Sequence, residues 1–155
     1  MNENKHQINY KILLLIHCFL PIFLGGILYI LFRSSDLKMF QWFKFCGLEN
    51  LILQVRSYLC ELKYLIPSWS YYSIPNALWV YSFTSLLLLY WHNNSNKYFW
   101  ILIPFMTGVF VEILQLFNLF PGSFDYIDLT FASLSFILSI FIINYKMKNY
   151  EKTIF

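Results

Sequence analysis

The chain is 155 residues long, 59% hydrophobic and 22% aromatic, with only 12% charged residues and a formal net charge of +3. A soluble domain runs at about 45–50% apolar and about 25% charged, so this balance excludes a disordered chain, a nucleic-acid-binding tail and an ordinary cytosolic enzyme. It predicts an all-α integral membrane protein, one membrane domain over residues 1–155, whose three cysteines form no disulfide framework.

A bilayer-spanning helix needs about 20 mostly apolar residues. The hydropathy pattern predicts four of them, over residues 12–32, 75–91, 98–119 and 127–145. The first lies between Lys11 and Arg33 and carries His17, Cys18, Pro21 and the Gly25–Gly26 pair. Its apolar run exceeds the roughly 7–15 residues of a signal-peptide core and no A-x-A-like site follows, so it reads as an uncleaved anchor. Residues 33–74 form a long loop. Within it Leu48, Leu51, Ile52, Val55, Leu59, Leu62 and Ile66 fall on one helical stripe, which predicts a single amphipathic helix over 48–66 lying on the membrane surface. KMFQWFKF before it is aromatic and basic, suited to the same interface. Pro67 is expected to end the helix and PSWSYYSIP to run extended into the second span. Cys46 and Cys60 in this loop read as unpaired, like Cys18.

The second span, PNALWVYSFTSLLLLYW, is short, and Trp79, Tyr81, Tyr90 and Trp91 are placed as interfacial anchors. Four spans put both termini and the 91–98 loop on one side. That side holds Lys5, Lys11, Lys97, Lys146, Lys148 and Lys152, while Arg33, Lys38, Lys44, Arg56 and Lys63 are spread along the longer loop opposite. The denser positive charge favours both termini in the cytoplasm.

Ionisable groups at membrane depth call for an explanation. Glu112 lies about seven residues before the end of the third span, ~10 Å below that interface. Gly108, Glu112 and Gln115 share a helix face, with Gly108 small enough to let another helix approach. Pro121–Gly122 signals a turn, after which Asp125 and Asp128 open the fourth span. Asp128, Ala132, Ser135 and Ser139 then form a small, hydroxyl-bearing face. Helices joined by a short connection are usually adjacent, so this face is expected against Gly108, Glu112 and Gln115. With Asn76 at the start of the second span, the candidate binding residues are Glu112, Gln115, Asp125, Asp128 and Asn76, gathered at the long-loop end under the amphipathic helix. Structural roles compete: Asp125 as the N-cap of the fourth helix, Asp128 in its first turn, Glu112 hydrogen-bonded across the bundle, and His17 as a packed core residue. Hydroxyls without a neighbouring histidine give no serine-hydrolase reading. Glu112 is the one candidate acid or base. The carboxylates offer oxygen ligands to a divalent cation, but no recognised loop motif is present and no cofactor is expected.

The segment VEILQLFNLFPGSFDYIDLTFASLSFILSIFI resembles the signature half of VanZ-like bacterial membrane proteins. Glu112 and Gln115 match an E-x-x-Q late in one span, Pro121 and Gly122 the turn, and Asp125 and Asp128 the Asp-x-x-Asp pair opening the next. The resemblance covers about residues 75–143; Ser123 stands where the family commonly has a basic residue. It implies a small, multi-pass inner-membrane protein of the cell envelope, in a family named for low-level teicoplanin resistance. The expected function is binding or handling an envelope lipid or amphiphile through an acidic pocket near the outer leaflet. The alternatives are a structural subunit that binds a membrane-protein partner, and a membrane enzyme that uses Glu112.

Overall fold

The computed structural model describes residues 10–35, 37–59, 61–120 and 122–152, and every regular element among them is a helix. Three are long and apolar enough to cross a membrane: Tyr10–Phe32 (α1), Lys97–Leu116 (α6) and the part Tyr126–Asn149 of Tyr126–Lys152 (α7). These mark a membrane-embedded helical protein. Between α1 and α6 come Lys38–Phe45 (α2), Glu49–Tyr58 (α3), Leu62–Leu65 (α4) and Ser68–Tyr90 (α5). The fourth long helix, α5, is less apolar, because Ser70, Ser73, Asn76, Ser82, Thr84 and Ser85 are distributed along it.

The long helices run alternately up and down. Cys18 of α1, Leu88 and Leu89 of α5, Ile101 of α6, and Ile143 and Met147 of α7 form one buried cluster at the end nearest the termini. At the opposite end Phe32 stacks on Tyr71, and Trp69 on Phe131. α5 is the centre of the bundle and packs against α1, α6 and α7. Its hydroxyls are what it buries: Ser73, Ser82, Thr84 and Ser85 are fully covered. Ser85 Oγ lies 3.0 Å from Ser139 Oγ on α7. The Ser82 hydroxyl donates to the Cys18 carbonyl on α1. Pro21 lacks an amide hydrogen and crowds the carbonyl four residues earlier. Just before it α1 takes one π turn, Leu15–Phe19, in which Leu20 N–H reaches back to the Leu15 carbonyl. In that turn His17 Nδ1 meets the Tyr81 hydroxyl at 2.7 Å, the packed core role for this histidine.

Several expectations are corrected. The small face of α7 turns mainly to α5 rather than to α6, because the Ser85 hydroxyl offers Ser139 a partner that α6 lacks. PSWSYYSIP is helical rather than extended. α5 begins at Ser68 and carries Pro75 inside it, where Gly25 of α1 lets Trp79 and the Pro75 carbonyl approach closely. A Cβ at Gly25 would stand 3.0 Å from Trp79 Nε1, so Trp79 packs on α1, with its ring 5.5 Å from that of Tyr29. The predicted helix over 48–66 is broken into α3 and α4, since the backbone leaves helical geometry at Leu59. Ile52 is buried while Leu48, Leu51 and Val55 face outward. KMFQWFKF forms α2, closed by a Schellman motif in which Gly47 takes φ +72° and Leu48 N–H returns to the Phe43 carbonyl. Cys18 and Cys46 are free thiols, as expected; Cys60 and Pro121 lie outside the described residues.

One guanidinium ties the loop to the bundle. Arg56 Nη1 donates to the Ile30 carbonyl at 3.1 Å and Nη2 to the Arg33 carbonyl at 2.6 Å, answering carbonyls at the end of α1. The same group lies 4.9 Å from the Phe40 ring of α2. We predict that Arg56→Gln destabilises the protein by about 1–2 kcal/mol and speeds tryptic cleavage at Lys44 and Lys63. Thermal unfolding and timed proteolysis in detergent read both, and unchanged cleavage would show that the loop is held by other contacts.

Candidate functional site

The site is built from the ends of two helices and the middle of a third. α6 stops at Leu116 rather than near residue 119 because Asn118 takes φ +55° and closes it with a Schellman motif, Leu119 N–H returning to the Leu114 carbonyl. After the turn, Asp125 starts α7. Its Oδ1 accepts the Ile127 N–H at 2.8 Å, so Asp125 is the N-cap. Its own N–H donates to Glu112 Oε2 at 3.2 Å. The cap therefore joins the buried acid of α6 to the first turn of α7.

Glu112 is 5% exposed, and it shares a cavity wall with Asp128. Asp128 Oδ1 is buried and meets no donor among the described residues.

Both acids lie on the wall of a cavity of about 540 Å³ between α5, α6 and the start of α7. Asn76 joins them at its polar end. Val80, Phe83, Leu86, Leu87, Ile103 and Val111 form much of the remaining wall. Phe83, Leu86 and Ile103 are exposed on the outer side of the bundle, so the cavity opens sideways, toward the surface that lipid would cover.

Of the five predicted binding residues, the structure brings Asn76, Glu112 and Asp128 to one cavity. Asp125 is absent from the cavity wall and acts as the cap. Gln115 also lies off the wall, packed against Gly122 so closely that a Cβ there would collide with its amide. Gly108 is not a point of close helix contact. A Cβ on it would meet only Val80 Cγ2, at 3.7 Å, and its missing side chain is part of the cavity. Among the described residues, no three His, Cys, Asp or Glu side chains gather around one point. Sequence reasoning missed Trp79, Val80 and Phe83 as wall residues. The signal was the helical face through Asn76, since 76, 79, 80, 83 and 87 recur at helix spacing. Comparison of the chain with family models, with curated proteins and with solved structures finds no match in any of the three.

Two sets of substitutions test this architecture. Gly122 has φ +132°, so Gly122→Ala is expected to cost about 1–3 kcal/mol. Adding Gln115→Ala recovers only the collision part, read as a coupling energy in a double-mutant cycle. Glu112→Ala orphans the Asp125 amide and should cost about 1–3 kcal/mol, whereas Glu112→Gln keeps an acceptor and costs less. Equal melting temperatures for the two Glu112 variants would show that the Asp125 bond contributes nothing.

Proposed function

We propose that this chain is a VanZ-like protein of the bacterial inner membrane that holds an envelope lipid or amphiphile in the cavity between α5, α6 and α7. The observation that carries this reading is the cavity's polarity, with two carboxyls and an amide at one end and apolar walls beyond. Its volume falls within the roughly 300–1,000 Å³ of small-molecule sites. In this reading α5 is the fourth span, its hydroxyls turned inward. α2 to α4 lie in the interface, where exposed Trp42, Phe45, Tyr58, Tyr64 and Leu65 enter the membrane beside Lys38, Lys44 and Lys63. Both termini are cytoplasmic and the polar end of the cavity faces the outer leaflet. The E-x-x-Q, Pro-Gly and Asp-x-x-Asp elements support the VanZ-like reading. A structural role for Glu112 is the second reading, favoured by its bond to the Asp125 amide.

Native mass spectrometry of the protein extracted in mild detergent separates the two. Wild type is expected to retain an amphiphile adduct that Gly108→Leu, whose added atoms fill the cavity, lacks. Identical spectra from two equally stable proteins would favour the structural role. For orientation, Ser123→Cys in a chain with its native cysteines replaced should react with an impermeant maleimide on intact cells, and Ser95→Cys should not. The reverse pattern would invert the topology.

A further inference from the structure

We infer that the cavity selects an amphiphile whose head is a protonated amine on an aliphatic chain, an inference that rests on the cavity being an amphiphile site. Its described wall carries the carboxyls of Glu112 and Asp128 and no lysine, arginine or histidine. The polar end carries two carboxyls against one side-chain amide. Asp125 N–H serves Glu112 Oε2, Asp128 Oδ1 is buried without a donor among the described residues, and Asn76 adds a neutral amide, both acceptor and donor. An ammonium brings three donors, no acceptor and the opposite charge. A hydroxyl head brings one donor and leaves the charge unanswered. A head with a carboxylate or phosphate and no ammonium adds acceptors and like charge. A divalent cation takes six or more oxygen ligands, and no third acid joins Glu112 and Asp128 around one point among the described residues.

The rest of the wall fits the tail. From Asn76 to Leu87 the α5 face extends roughly 16 Å at 1.5 Å per residue, lined by Val80, Phe83 and Leu86 and faced by Ile103 and Val111 of α6. The open side lies along the exposed Phe83, Leu86 and Ile103, so the chain enters from the lipid phase with its head turned to the acids.

The test titrates the purified full-length protein with dodecylamine, dodecanol and lauric acid, followed by native mass spectrometry, and needs no variant for its first answer. Dodecylamine is expected to bind at least about tenfold tighter than either competitor. Asp128→Asn should remove that preference, and Gly108→Leu should remove binding of all three. Equal binding of dodecanol and dodecylamine to wild type overturns the head-group assignment and leaves the amphiphile site standing. Binding that Gly108→Leu does not change overturns the amphiphile site itself. A lysophosphatidylethanolamine arm distinguishes the source of the amine. Binding comparable to dodecylamine identifies a lipid head group, binding of dodecylamine alone identifies a simple amine, and both outcomes carry the ammonium selection.

Discussion

Hydrocarbon provides no hydrogen-bond partner, so each polar group carried to membrane depth has to be met from inside the protein. Beside three helices apolar enough to cross a membrane, α5 brings buried hydroxyls into the bundle. Two of these hydroxyls reach neighbouring helices: Ser82 donates to the Cys18 carbonyl of α1, and Ser85 pairs with Ser139 of α7. Such bonds are individually modest, about 0.6 kcal/mol on average. Their weight is in specificity, since they fix which faces of α1 and α7 turn inward. α6 packs less extensively on α5 than α7 does, and the space left between them is the cavity.

The cavity follows from that uneven packing. α7 packs chiefly on α5, and α6 reaches α7 through the bond between Glu112 and the Asp125 amide and through the stacked rings of Phe105 and Phe136. Around this contact the chain uses two local stops with opposite chemistry. Asn118 ends one helix in a left-handed conformation, and Asp125 begins the next with its side-chain oxygen. Together they set the height at which Glu112 and Asp128 face each other.

The sequence made the long apolar helices plain. Runs such as residues 12–32 have few polar interruptions, and the first helix is displaced by only two residues from that range. The acids were legible too, because a carboxyl at membrane depth stands out. What escaped was partner choice. Placing the Asp128–Ser139 face against α6 used proximity along the chain, whereas the decisive fact was a hydroxyl on α5 at the right height. The amphipathic stripe over 48–66 misled in a related way. Apolar spacing records a preference for one face but does not show where the helix must end, as it does after Tyr58. The loop's anchor, Arg56, looked like one more charge off the stripe, because the carbonyls it serves belong to a helix more than twenty residues away.

Asp125 couples two events that sit on different helices. Its amide is satisfied only while Glu112 Oε2 stays in place, and its carboxyl holds the first turn of α7. A molecule that draws Glu112 away must therefore also compensate for an orphaned donor at a helix start, a debt of about 1–3 kcal/mol. The arrangement sets an energetic threshold. Weakly interacting molecules can fill the apolar part of the cavity without disturbing it, and only those that engage the acid strongly are transmitted to the start of α7.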